Sequence, residues 1–448
     1  MGFETLACSK KSIIKRFRFF MTGENRKMEI KEESIISASG EKPKAASSTA
    51  KSLIDRIMWL LTIILFSSFY ITSLSEYGNY ILLLITGVAF IVISIANGGK
   101  IQLKISRLHI SMLLFSAFSF ISTIWALNSS DAIEKGITIF EILICMSVFY
   151  MYYGRNENVE TLINAIMIAG FIISVYNIFY VGLGNILRVI TNSRVLTDTF
   201  DNRNNIAIVS AISIILSLHY IIYRRKRLWV FFDLFALLNV AAVGSKKGFL
   251  ILIVGFFAFF LVKAINEKKT GTFLRIIAVI AVTYLLVLLM IRARLFSGIM
   301  GRFDTMISTL IGDSNVNYST YIRAQYINMG WDLFLHRPIL GYGMGNAHLY
   351  AYSAYGTDTY LHNNYIELLV NGGIVGTIIY YSMHISVLRR TLRRNMAENE
   401  FQSVCISLLA ILLFVDVASV TYYSKETYFY LMILFIYVES IKKFKYND

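Results

Sequence analysis

Proline is nearly missing from this chain, with two residues in 448, and charged side chains make up only 16% of it. A soluble domain usually carries about 5% proline and about 25% charged residues, so there is too little charge here to solvate a water-soluble fold. The three cysteines, Cys8, Cys145 and Cys405, stand far apart, the last two inside apolar runs, which argues against a disulfide framework or a zinc site. Walker, zincin and dinucleotide-binding patterns are absent. No cleavable signal peptide is visible, because the first apolar patch, Phe17 to Met21, is too short and is broken by Arg16 and Arg18. What the chain has instead is 56% hydrophobic residues. An all-α polytopic membrane protein is the class that fits.

A helix needs roughly 20 apolar residues to cross a hydrocarbon core of about 30 Å. Apolar runs near 57–74, 79–96, 108–126, 137–153, 159–182, 204–222, 228–243, 249–265, 273–291, 364–388, 402–419 and 427–441 predict about twelve transmembrane helices. An even number puts both termini on one side. Lys and Arg then number 31 on that side and 12 on the other, which makes it the cytoplasmic side. The expected domains are a flexible cytoplasmic tail over 1–52, polar and without a core, and a transmembrane domain over 53–448 with one long outer-face loop at 292–363. Within that loop Ile322, Tyr326, Met329 and Leu333 recur at helical spacing and Pro338 follows as a stop, predicting an amphipathic helix on the outer membrane surface. A second outer loop, 183–203, carries Arg188, Arg194 and Arg203.

Cations on the outer face run against the positive-inside trend. Apart from Lys135 and Lys425, which stand beside acidic residues, they fall in three groups: Arg188, Arg194 and Arg203; Lys246 and Lys247; and Arg292, Arg294, Arg302, Arg323 and Arg337. Lys246 and Lys247 lie in the short turn Gly244-Ser245-Lys246-Lys247-Gly248 between two apolar helices. A charge at that depth either snorkels to the headgroups or faces a wet cavity, and in the second case the pair makes a phosphate site. Leu361-His362-Asn363-Asn364-Tyr365 closes the long loop. His362 is the side chain there suited to proton exchange near neutral pH, although a structural role is open to it, and Asn363 or Asn364 would cap the following helix. Gly372 and Gly376, spaced four apart, allow close helix packing, and Gly341-Tyr342-Gly343-Met344-Gly345 reads as a flexible loop. Glu141, His219, Asp233, Glu367 and Asp416 lie in or beside apolar runs without forming a relay pattern.

Taken together these elements resemble the O-antigen ligase and Wzy-type polysaccharide polymerase superfamily. The residues that carry the resemblance are Pro338-Ile339-Leu340-Gly341-Tyr342-Gly343, His362-Asn363-Asn364-Tyr365, Gly373-Ile374-Val375-Gly376 and the turn Ser245-Lys246-Lys247, across about residues 200–385. The resemblance implies a GT-C-like, membrane-embedded glycosyltransferase that is inverting and metal-independent. It implies a catalytic-site His at His362 and a long-loop Arg at Arg302 or Arg323. Lys246 stands where an Arg that binds the donor diphosphate is usual, and Lys247 shares that role. Arg203, Asn363 and Tyr365 complete the expected substrate contacts.

The expected function is polymerisation of a cell-surface polysaccharide (O-antigen, capsule or exopolysaccharide) from an undecaprenyl-diphosphate-linked oligosaccharide at the outer face of the bacterial inner membrane. An O-antigen ligase moving polymer to lipid A-core, or a flippase of the same lipids, are the alternatives. The expected partners are membrane lipids, a chain-length regulator and a flippase of the pathway, with no nucleic acid and no cofactor. No metal is expected either, since Asp198, Asp201, Asp304, Asp313, Asp332 and Asp358 form no Asp-x-Asp pair.

Overall fold

The structure is a computed structural model that describes residues 48–444 apart from 72–77, 155–157, 192–198, 200, 244, 268–270, 272–273, 276, 279–280, 282–317 and 393–399. The chain divides into Met1–Leu53 and Ile54–Asp448. Apart from the first residues of the first helix, all that follows concerns the second unit; of the tail expected over 1–52, residues 1–47 lie outside the described residues and residues 48–52 are helical. In chain order the helices are α1 (Ser48–Ile71), α2 (Gly78–Ala96), α3 (Arg107–Ile121), α4 (Ser129–Tyr153), α5 (Val159–Val181), α6 (Leu183–Thr191) and α7 (Arg203–Ile222). They continue with α8 (Trp229–Val243), α9 (Lys246–Asn266), α10 (Tyr318–His336), α11 (Ala347–Tyr355), α12 (Asn364–Thr391), α13 (Phe401–Val415) and α14 (Lys425–Phe444). Short polar side chains start several of them. Ser106, Asn128, Asn202 and Asn363 each accept a backbone N–H of the first turn, which satisfies amides that a helix start otherwise leaves free.

Seven described helices, α1, α2, α3 with its following turn, α5, α7, α9 and α12, are long and apolar enough to cross a membrane. The expected run at 273–291 lies largely outside the described residues. The runs at 228–243 and 402–419 form α8 and α13, of 15 residues each; at 1.5 Å per residue each is about 22 Å long, short of a full hydrocarbon core. The bundle is built around α7, which packs against α5, α8 and α9, while α9 also packs on α13 and α3 joins α4 to α12. Buried polar side chains link these helices. Asn177 donates to Asn239 (2.6 Å), Asn239 to Ser210 (2.9 Å), and the Ser174 and Ser210 hydroxyls pair at 2.8 Å; such bonds join helices where apolar contact with lipid gives no driving force for association. At the end of the bundle where α7 finishes, Arg224 holds Glu160 of α5 and Glu400 before α13.

The opposite end carries the loop elements, and it differs from expectation in three ways. Residues 183–191 of the second expected loop are the helix α6. The amphipathic α10 forms and stops before Pro338, but its stripe does not face a membrane surface: Ile322, Tyr326, Met329 and Leu333 pack with Leu361, Ile366 and Val370. Gly330 lies so close to Ile366 that a Cβ would stand 2.3 Å from it, so the stripe serves protein packing. The third difference concerns the glycines. The segment 338–345, whose stretch Gly341–Gly345 is expected to be flexible, docks into a break in α12 at Gly373 (φ 59°, ψ −160°).

At that break Val370 and Asn371 carbonyls accept from Tyr342 N (2.8 Å) and Gly343 N (2.9 Å). Ile374 N and Val375 N donate to Pro338 O (2.8 Å) and Ile339 O (3.2 Å). The loop thereby satisfies the amides that the interruption frees, which is the condition for irregular backbone beside a membrane span. Its own N–H groups at 342 and 343 are committed and do not form a phosphate cradle. Gly372 and Gly376 face the Phe118 ring of α3, in keeping with a close-packing role.

Candidate functional site

His362 sits in the turn that ends the long loop, with a left-handed backbone at φ 58°. That conformation is uncommon outside glycine and costs a bulky residue about 1–2 kcal/mol. The turn is held from both sides. Before it, Leu361 N donates to the buried Glu367 carboxylate (2.7 Å). After it, Asn363 Oδ1 accepts from Ile366 N (3.1 Å) and its Nδ2 donates to Val417 O (3.0 Å). Asn364 is buried: its N–H donates to Asp416 O (2.8 Å), its Nδ2 to Tyr381 Oη (3.0 Å), and its Oδ1 accepts from Thr421 N (2.9 Å). Tyr365 donates its hydroxyl to Leu413 O (2.8 Å) and stacks on Tyr381 at 5.0 Å. The polar atoms of Asn363 and Tyr365, expected as substrate contacts, thus find partners inside the protein and fix the His362 turn.

The segment after α13 draws a second helix start to the same place. Lys247, in the first turn of α9, donates its Nζ to Ala418 O and to Ser419 Oγ (2.8 Å), adjacent to the Val417 carbonyl that Asn363 holds. Ser245 donates to Asn204 Oδ1 (2.8 Å), which sets the start of α7, with exposed Arg203 as its first residue, against the start of α9. Lys246 opens α9, and its side chain lies outside the described residues, as do Arg302, Arg194, Arg292 and Arg294. Arg323 is on α10, one turn before Tyr326, whose ring centroid is 6.2 Å from that of His362.

Burial, then the nearby positive charges of Arg323 and Lys247, push the His362 pKa down to about 4. The imidazole is therefore neutral at physiological pH and free to accept a proton. Arg323 contributes more to that depression than Lys247, and burial more than either. Neither has a carboxylate partner among the described residues: Lys247 is bonded to a carbonyl and a hydroxyl, and no hydrogen bond or ion pair is formed by Arg323. Two partly buried cations without counter-charge beside a neutral imidazole, under three adjoining helix starts, make a site for an anion.

On the other side of the loop His348 bridges Asp131 of α4 (2.9 Å) and Asp358 (2.6 Å). Burial opposes its charge, but the two carboxylates outweigh burial and raise its pKa above the ordinary imidazole value. The bridge ties the strap 356–361 to α4. Tyr360, two residues from His362, is the site feature that the sequence does not single out; Tyr326 is legible there only as part of the α10 stripe, and Glu367 and Asp416 only as ionisable groups in or beside apolar runs.

Fold and site thus define a polytopic helical membrane protein with a basic centre at one end of its bundle. The O-antigen ligase family model matches residues 231–381, a segment running from α8 to the middle of α12 that contains Lys246, Lys247, Arg302, Arg323 and His362. The resemblance to the O-antigen ligase and Wzy-type superfamily, whose members are membrane glycosyltransferase-like enzymes, holds over these residues. Arg203 falls outside the match. No curated protein matches the chain.

Proposed function

We propose that the protein polymerises a cell-surface polysaccharide, transferring a glycan from an undecaprenyl-diphosphate donor to a second lipid-linked repeat unit. The observation that carries this reading is the pair Lys247 and Arg323, without carboxylate partners among the described residues, beside the neutral His362. Breaking a sugar–diphosphate bond leaves a dense negative charge, and fixed cations aimed at it stabilise the transition state. Lys247 and Arg323, with Lys246 and Arg203 on adjoining helix starts and Arg302 in the same long segment, hold the diphosphate. His362 takes the proton of the acceptor hydroxyl as that oxygen attacks the anomeric carbon from the face opposite the diphosphate, so the step inverts configuration. Asn363 and Tyr365 keep the turn in place. No metal is needed where cations do its electrostatic work.

The site end faces outward and both termini are cytoplasmic in this reading, in a bacterial inner membrane. It rests on the excess of Lys and Arg in the opposite loops. A cysteine placed at residue 315 should react with a membrane-impermeant maleimide in intact cells after outer-membrane permeabilisation. Labelling only after lysis would place the site in the wrong compartment. Deleting the gene separates the two family activities. We expect loss of the surface ladder with single repeat units left on the lipid carrier; full-length polymer accumulating on the carrier would make the protein a ligase.

A further inference from the structure

We propose that Tyr360 is the platform on which the diphosphate-linked sugar ring of the donor stacks beside His362. The inference rests on the lipid-diphosphate glycan reading above and adds the residue that recognises the sugar. Two tyrosine rings neighbour the imidazole. Tyr326 lies 6.2 Å from it, nearly parallel at 24°, and is only 3% exposed; it belongs to the α10 stripe and packs edge-on to Tyr355 at 5.3 Å. Tyr360 lies closer, at 4.3 Å and 56°, yet remains 37% exposed. Its hydroxyl makes no hydrogen bond among the described residues.

Tyr326 therefore supports His362 from the interior, while Tyr360 offers a ring to whatever enters. Arg323 stands one turn before Tyr326 on α10, the helix that backs His362, and its charge bears on the ionisation of both His362 and Tyr360. A ligand resting on Tyr360 would thus have an anion-binding side chain and a proton acceptor within one ring's reach. A pyranose suits that position. One of its faces is lined with C–H groups, which lose water favourably against an aromatic face, while its anomeric substituent, the diphosphate, extends to the cations. Placing the sugar there orients the anomeric carbon with respect to His362 before reaction. A bland alternative is that Tyr360 anchors the loop at the membrane interface, as exposed tyrosines do.

The test compares two probes on the purified full-length protein in nanodiscs: undecaprenyl diphosphate, and undecaprenyl diphosphate carrying one N-acetylhexosamine. The unaltered protein should bind the sugar-bearing probe about tenfold more tightly, in line with the value of an aromatic contact. Tyr360→Ala should lose that preference while binding undecaprenyl diphosphate as before, which also shows that it is folded. Tyr360→Phe and Tyr360→Trp should keep it. A preference that survives in Tyr360→Ala would overturn the inference in favour of the interface anchor, and a preference lost in Tyr360→Phe would replace ring stacking by a hydroxyl contact. Failure of the unaltered protein to bind either probe would instead bring down the lipid-diphosphate reading and this inference with it.

Discussion

Arg323→Ala and Lys247→Ala should each slow glycan transfer by about 10²–10³, the usual effect of removing one fixed donor from a developing charge. Arg323 makes no hydrogen bond or ion pair within the described protein, so its loss strands no buried partner and should leave the amount of membrane protein unchanged. Lys247→Ala also frees Ala418 O and Ser419 Oγ. For that reason Lys247→Met and Lys247→Arg belong beside it: the first keeps the apolar stem and should be as inactive as alanine, while the second keeps the charge and should retain most of the rate. The readout is the ladder of surface glycan at equal protein level. Unaltered ladders from Arg323→Ala and Lys247→Met would return both cations to the role of headgroup anchors.

The second large effect concerns Gly373. Its backbone lies in a region that only glycine occupies freely, and a Cβ there would stand 2.3 Å from Ile339 O. Gly373→Ala must therefore expel the 338–343 segment or distort α12. Four backbone hydrogen bonds link the two, from Tyr342, Gly343, Ile374 and Val375, and losing them with their burial should cost at least about 3 kcal/mol. Gly341→Ala should behave alike, since its Cβ would meet Val370 O at 2.5 Å with φ at +66°. Gly87→Ala is the control: nothing lies within 4 Å of a Cβ there, and a helical Gly→Ala change is neutral or slightly stabilising. Thermal unfolding of the detergent-purified variants checks this. A midpoint for Gly373→Ala within a degree or two of the unaltered protein would mean that the loop does not depend on the break.

The helices were legible because lipid imposes one backbone solution and a long apolar run announces it. Each expected run except 273–291 falls on a described helix. Lys247, Arg323 and His362 stand out in the sequence as candidates, because cations are the exception on an outer face and a histidine at a loop's end invites a role; the parts given to them belong to the proposal. How the parts meet was not legible. Gly341 and Gly343 look like flexibility in a sequence, but here they permit close approach to Val370 and Ala126, and only the partner backbone shows this. The α10 stripe was read correctly as apolar and given the wrong neighbour, since periodicity reports that a face is buried and not what buries it. Asp416 looked like an intramembrane ionisable group of general interest. It accepts from Tyr381 (2.8 Å) and lies 3.3 Å from Asn364 Nδ2, so its part is to fix the start of α12, a long-range relation with no sequence signature.

The central claim is that fixed cations, with a neutral histidine, transfer sugar from a lipid diphosphate. It is tested most directly by incubating the purified protein with a synthetic undecaprenyl-diphosphate-linked repeat unit in excess EDTA and following free undecaprenyl diphosphate and product length together. The expected result is release of undecaprenyl diphosphate in step with glycan elongation, undiminished by chelator and abolished in His362→Ala. Transfer that stops in EDTA and returns with Mg²⁺, or proceeds normally in His362→Ala, would contradict it.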